Sequence, residues 1–307
     1  ALLSGAIADR VKFSGWIALV ALWSTFVYFP VAHWAFFFDG GKGGWIADRL
    51  QALDFAGGTA VEINSGASAL ALALVVGKRI GWRRDPMRPH SLPLVLLGAG
   101  LLWFGWFGFN AGSALAAGQL TATVFMNTQV ATATAALAWV LVERVRDGKP
   151  TTLGVASGAV AGAVAITPAC GYVTPLGAMA IGLAGGAICS LAVGLKYKFG
   201  YDDSLDVVGV HGVGGLVGMV GIGLLATVSV NSAGADGLFY GGGAGLLGRQ
   251  LIASGATLAY AFVVTALIAW IVEKTIGLRA TPENEYAGLD ISEHAESAYD
   301  FTGSSAG

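Results

Sequence analysis

His211 lies in the stretch DVVGVHGVGGLVGMVG, Asp206 to Gly221, and no acidic or basic residue follows it until Asp236. A run this apolar is long enough to cross a bilayer. An ionisable side chain at membrane depth is costly, so it marks a functional group. A second stretch, DFAGGTAVEINSGASA from Asp54 to Ala69, has the same build, with Glu62 as its lone interior charge. A carboxyl beside an imidazole suits proton handling, because the two imidazole nitrogens accept and donate. In contact, the two groups titrate as a coupled pair rather than as independent sites. Each also has a plainer reading: His211 as a core histidine bonded to a backbone carbonyl, Glu62 as a carboxyl bonded to a neighbour.

Each stretch opens near an acid. Asp54 precedes Glu62 by eight residues and Asp206 precedes His211 by five. Asp is a favoured N-cap, accepting from the first free amides of a helix, so Asp54 and Asp206 are expected to cap. Two special helices in two halves of a chain point to a transport site at an inverted-repeat interface. The two spacings differ, so the sequence leaves the repeat undemonstrated.

The rest of the chain must position these helices. Of 307 residues, 55% are hydrophobic and 12% charged, where soluble domains carry about 25% charged residues. Mean hydropathy is +0.69. No Lys, Arg, Asp or Glu lies between Arg88 and Glu143, nor between Lys149 and Lys196. Each of these spans has room for two crossings of about 20 residues. The fold class is therefore all-α, a polytopic membrane helical bundle. Crossings are expected over about 14–38, 54–77, 92–114, 122–145, 151–167, 177–197, 205–228 and 250–276. Residues 1–8, ALLSGAIA, are too short to span and read as the end of a broken helix, so the chain is expected to lack an N-terminal part. Pro30 lacks a ladder donor and is expected to kink the first crossing. The transmembrane unit is 1–276, and 277–307 is a polar tail.

Loops alternate sides. With Arg10 and Lys12 inside, the cytoplasmic set holds fourteen Lys and Arg, among them Lys78, Arg79, Arg83, Arg84 and Arg88; the other side holds Lys42, Arg49 and Arg249. The positive-inside rule then makes the tail cytoplasmic. Glycines four apart, at Gly154, Gly158 and Gly162, at Gly182 and Gly186, and at Gly214 and Gly218, predict close helix packing. Cys170 and Cys189 form neither a metal motif nor a disulfide framework. Nothing reads as a nucleophile–base pair or a cofactor loop, so neither an enzyme nor a cofactor is expected, and no nucleic acid partner.

Five segments, LDFAGGTAVEIN, WFGFNAGSA, TPACGYV, DVVGVHGVGG and GLDISEHAESAY, resemble in order the signature segments of the ammonium transporter family (the Amt/Mep/Rh superfamily). The resemblance runs over nearly the whole chain. It implies a homotrimer of eleven-helix subunits in the cell membrane, each with its own pore. About eight complete crossings and a partial one would be present here. It also implies an outer recruitment site above a phenylalanine gate, then a narrow apolar channel lined by two histidines. By that resemblance Ser113 is similar to the recruitment serine, Phe109 to a gate phenylalanine and Trp106 to a neighbouring pore tryptophan. His211 is similar to the second histidine, and Asp54 to the acid below the recruitment site. Two departures stand out: Glu62 occupies the place of the first histidine, and Phe36 that of the recruitment tryptophan. Phe offers a weaker cation–π face than Trp.

The chemistry suits ammonium. By a Born estimate, a cation loses on the order of tens of kcal/mol of hydration in a dry pore, whereas neutral ammonia does not. A site that strips a proton outside, passes ammonia and moves the proton separately resolves this. The expected function is transport of ammonium/ammonia across the lipid bilayer past a Glu62/His211 pair. The alternatives are an ammonium sensor of the same fold, or another monovalent cation transporter with Glu62 as an ion ligand. The cytoplasmic face would also be a docking place for a PII-type signal protein, as the resemblance implies.

Overall fold

The computed structural model describes residues 1–297. The last two residues of the GLDISEHAESAY motif, 298 and 299, lie outside the described residues. The chain forms α1 (Leu2–Ala6), α2 (Phe13–Phe36), α3 (Gly58–Val76), α4 (Leu92–Gly112), α5 (Gln119–Arg146), α6 (Thr152–Ile166), α7 (Pro175–Phe199), α8 (Val208–Leu225) and α9 (Gly245–Thr275). Two short helices, α10 (Pro282–Ala287) and α11 (Leu289–His294), follow. Seven of these are long and apolar enough to cross a membrane. The exception among the expected crossings is α6, whose 15 residues reach about 22 Å at the usual rise. Its C-terminal turn continues into the TPACGYV segment, whose Val173 bridges to Ala226 past the end of α8.

Small residues set the packing. The α6 glycines lie on α5: a Cβ on Gly158 would stand 2.6 Å from Trp139 Cβ, and one on Gly162 2.8 Å from Thr132 Cα. From α7, Gly182 and Gly186 abut the backbone of the same helix at Ala131 and Ala135. The glycine ridges therefore let two helices close on one, as backbone approach in lipid requires.

In α2 the disturbance is a wide π-helical turn at Ser24–Tyr28, just ahead of Pro30. Proline cannot donate to the carbonyl four residues back, that of Phe26. Tyr260 of α9 makes good the loss, its Oη donating to Phe26 O at 2.7 Å.

At the centre, α3 and α8 run antiparallel. A Cβ on Gly58 would lie 3.2 Å from Met219 Sδ, and one on Gly215 would lie 2.8 Å from Glu62 Cβ. Between them, Gly66 meets the backbone of Gly212. Contacts that climb one helix while descending the other fix the direction. Of the seven long helices α3 is the most enclosed, with 78% of its most apolar stretch buried, and α4 the least, with 6%. The exposed apolar face of α4, with Leu97, Leu101 and Phe104, is suited to lipid or another helix.

The helix starts differ from expectation in an informative way. Asp54 caps: Oδ1 accepts from the amides of Gly57 and Gly58 at 2.8 and 2.6 Å, and Oδ2 from Thr59 N at 2.7 Å. Asp206 does not cap. It takes a left-handed backbone conformation at φ 62°, which Asp tolerates, and its carboxylate pairs with Lys196 Nζ at 2.7 Å. The acid that caps α8 is Asp203, whose Oδ2 accepts from Val208 N at 2.7 Å. Asp203 stands 149 residues after Asp54, and His211 stands 149 after Glu62. Both acids accept from the amide five residues on, and a residue at positive φ, Gly57 or Asp206, precedes each π-helical turn, Gly58–Ile63 and Val208–Gly212. The two helix starts thus repeat with inverted direction. The eight-residue spacing is common to both once Asp203 replaces Asp206.

Candidate functional site

Glu62 and His211 meet where α3 and α8 cross. His211 Nδ1 and Glu62 Oε2 are 2.7 Å apart. Glu62 is 0% exposed and His211 7%. A heavy-atom separation of 2.7 Å needs one proton between the two groups, held by either. The second carboxylate oxygen, Glu62 Oε1, is buried and has no hydrogen-bond partner among the described residues. Glycine permits the approach from both sides. Gly215 leaves room for the Glu62 stem, and Gly66 for the Gly212 backbone next to His211.

Both side chains sit in π-helical turns, which are rare and occur often at functional sites. In α3 the amides of Val61 and Glu62 both reach the carbonyl of Gly57, at 2.8 and 3.0 Å. The wider turn is held from below by the Asp54 carboxylate, which also accepts from Thr59 Oγ1 at 2.5 Å. The acid, the turn and the buried ionisable group form one unit, used twice.

The residues expected near the outer end are placed less uniformly. Trp106 is 7% exposed, and its Nε1 donates to Thr167 Oγ1 at 2.8 Å. The chain of bonds continues through Asn110, whose Nδ2 donates to Thr128 Oγ1 at 3.0 Å. These partners hold the indole plane, and Thr167, Asn110 and Thr128 were not anticipated as its support. Phe109 lies 5.5 Å from Trp106, centroid to centroid. Ser113, a turn further on, donates its hydroxyl to Phe109 O at 2.8 Å. Phe36 is 40% exposed and, among the described residues, makes no ring contact with Trp106 or Phe109. The inward aromatic of this helix end is Trp34, 4.6 Å from Tyr260 and 5.7 Å from Trp45. The structure therefore brings Glu62 to His211 and Trp106 to Phe109 and Ser113, and leaves Phe36 apart.

On the side of loop 78–90 a charged network ties the helix ends together. The fully buried Arg10 donates to Gly77 O, Ser204 Oγ and Asp202 O at 2.9, 2.7 and 2.5 Å. Burial lowers its pKa to about 10. Arg79 forms two bonds of 2.9 Å to Asp202, which holds that carboxyl below the usual range against its burial. Arg279 reaches Val76 O at 3.0 Å and Glu285 Oε2 at 2.7 Å, anchoring the tail helices to the end of α3.

An antiparallel pair of π-turned helices thus buries two ionisable groups in contact inside a bundle of apolar helices. The chain belongs to the Ammonium Transporter Family, whose pattern it matches over residues 1–299. It is 58% identical over 309 residues to an ammonium transporter of Mycobacterium tuberculosis, a match covering 98% of this chain and 65% of the relative. The chain thus spans just under two thirds of that relative's length. Among solved structures, Candida albicans Mep2 matches with a TM-score of 0.85 at 37% identity, covering 92% of this chain and 63% of that one. A protein described as a sensor Amt protein matches with a TM-score of 0.85 at 32% identity, covering 95% of this chain and 73% of that one. The protein is a multi-pass membrane protein with the fold of these structures.

Proposed function

We propose that the protein moves ammonium/ammonia across the cell membrane, with Glu62 and His211 as the proton-handling pair of a narrow apolar pore. The observation that carries this reading is the 2.7 Å contact between two buried ionisable side chains inside paired π-helical turns. Family membership adds the substrate class. Ammonium is recruited outside by the aromatic face of Trp106 and Phe109 with the Ser113 hydroxyl; Phe36, exposed and apart from them, is left out of this site. Passing inward, the nitrogen sheds its proton, because an apolar lumen offers nothing to replace the hydration a cation loses. Glu62 and His211 take up and return that proton: one accepts while the other donates, and neither need leave its helix. Asp54 and Asp206 act structurally, Asp54 as a cap and Asp206 through Lys196.

The basic loops are cytoplasmic by charge bias, and the tail with them. Residues 1–276 form the transmembrane unit and 277–307 the tail. The subunits assemble as homotrimers, and the cytoplasmic face is where a PII-type signal protein would dock. These statements rest on resemblance and charge.

The test is uptake of labelled methylammonium by the protein in proteoliposomes, with Glu62→Gln, Glu62→His and His211→Ala. Glu62→Gln keeps size and hydrogen bonding but removes a titrating group. Glu62→His should keep transport with an altered pH profile, and His211→Ala should lose net transport or admit other cations. Wild-type rate, pH profile and selectivity in both Glu62→Gln and His211→Ala would make the pair structural. Saturable ammonium binding with no uptake would instead favour a sensor.

A further inference from the structure

The two capping acids are equivalent by position but not by environment. Asp54 takes four donors: the amides of Gly57, Gly58 and Thr59, and the Thr59 hydroxyl. Asp203 is 1% exposed; its Oδ2 accepts from Val208 N, and its Oδ1 has no hydrogen-bond partner among the described residues. The cations around it are engaged elsewhere. Lys196 Nζ bonds Asp206 Oδ1 at 2.7 Å and the backbone oxygen of Asp203 at 3.0 Å, not its carboxylate. Arg79 and Arg10 are bound to Asp202, and Arg279 to Glu285. Asp206 presents a like charge, and the Tyr201 phenol is the other titratable neighbour. An under-satisfied carboxylate therefore sits at the foot of the turn that carries His211, on the side of the basic loop 78–90.

The geometry points to Asp203 as the positioning residue for His211, and as the group through which protons on the loop 78–90 side act on the pore. Its charged form holds the Val208 amide, and with it the turn that aims Nδ1 at Glu62. A proton on Asp203 removes that charged acceptor and frees the turn. This rests on the transport reading for its consequence, but not for its structural content. Burial is the main cause that pushes the Asp203 carboxyl up to about 6; the Val208 amide opposes it, and Asp206 adds to it. A carboxyl raised above its unfolded value binds its proton more tightly in the folded chain, so this group's contribution to overall stability rises as pH falls through about 6. Acid at Asp203 thus loosens one turn without weakening the fold.

Hydrogen exchange of the 208–212 amides, in the whole protein in lipid nanodiscs, tests this directly. After correction for intrinsic exchange, wild-type protection should fall about tenfold as pH drops through about 6, the loss typical of a missing cap. Asp203→Asn should show the reduced protection already at neutral pH, with no further change. Lys196→Gln, which removes the nearest cation, should move the wild-type midpoint upward. In proteoliposomes at constant outer pH, uptake should fall as inner pH passes the same midpoint, and Asp203→Asn should abolish that dependence. Flat wild-type protection across this range, or an Asp203→Asn titration like that of wild type, overturns the proposal. An Asp203→Asn variant that does not fold leaves the wild-type and Lys196→Gln titrations to decide. Exchange is read without transport, so the transport reading can fail while this one stands, and the reverse.

Discussion

Adding one methyl group at Gly215 should separate Glu62 from His211. A Cβ there would stand 2.8 Å from Glu62 Cβ, 3.0 Å from Ile63 Cγ1 and 3.1 Å from Ile63 N. Carbon atoms rest at about 3.5–4.0 Å, so α8 and α3 must part by about 1 Å at this level. The Glu62–His211 contact bridges the same two helices, and a 2.7 Å contact stretched to about 3.6 Å is no longer a hydrogen bond. Overpacking of this kind costs about 1–3 kcal/mol, and the broken coupling should reduce uptake about tenfold or more, since 1.4 kcal/mol is a factor of ten. Gly221→Ala is the matched control. Its Cβ would meet Ile181 Cδ1 at the same 2.8 Å, on α7 and away from α3. Both variants should lose similar thermal stability in detergent, but only Gly215→Ala should lose uptake and shift its pH profile. Equal effects on uptake would show that general packing, not the Glu62–His211 contact, limits the rate, and would refute the reasoning.

Two further outcomes follow from other parts of the fold. Tyr260→Phe leaves the Phe26 carbonyl, freed by Pro30, without its donor, and should cost about 1 kcal/mol in unfolding; Pro30→Ala restores an amide donor and should shrink that cost in a double-mutant cycle. For orientation, an impermeant thiol reagent applied outside cells should label Lys42→Cys, exposed in the 39–53 loop, and spare the equally exposed Arg84→Cys; the converse would invert the assigned topology.

The membrane architecture was legible because lipid enforces it: charge gaps and apolar length leave few alternatives once backbone groups must be satisfied internally. Legibility ended where tertiary partners decide. Pro30 announced a disturbance in α2, but its relief by Tyr260, 234 residues from the Phe26 carbonyl, has no local signature. The helix expected over about 151–167 is found over Thr152–Ile166, capped by Thr151, whereas the pairing of Val173 with Ala226 beyond it could not be read locally. Phe36 was aligned by sequence neighbours, while the backbone turns Trp34 inward against Tyr260 and leaves Phe36 exposed.

The site shows the same boundary at finer scale. Glu62 and His211 were readable as lone ionisable groups in apolar runs, and their contact joins two segments 149 residues apart. The cap of α8 was misread by three residues, because Asp206 is the nearer acid and the usual N-cap argument favours proximity. What decides between Asp203 and Asp206 is Lys196, which reaches the Asp206 carboxylate across the turn at 2.7 Å. With Asp206 engaged and its backbone left-handed, Asp203 is left to accept the Val208 amide. The clue was nonetheless in the chain: an acid eight residues before the buried ionisable group occurs in both stretches, and only the Asp203 reading makes the spacings agree. An ionisable group at membrane depth must be aimed as well as buried. In each half a buried carboxylate fixes the turn that does the aiming, strongly under Glu62 and with a single amide bond under His211.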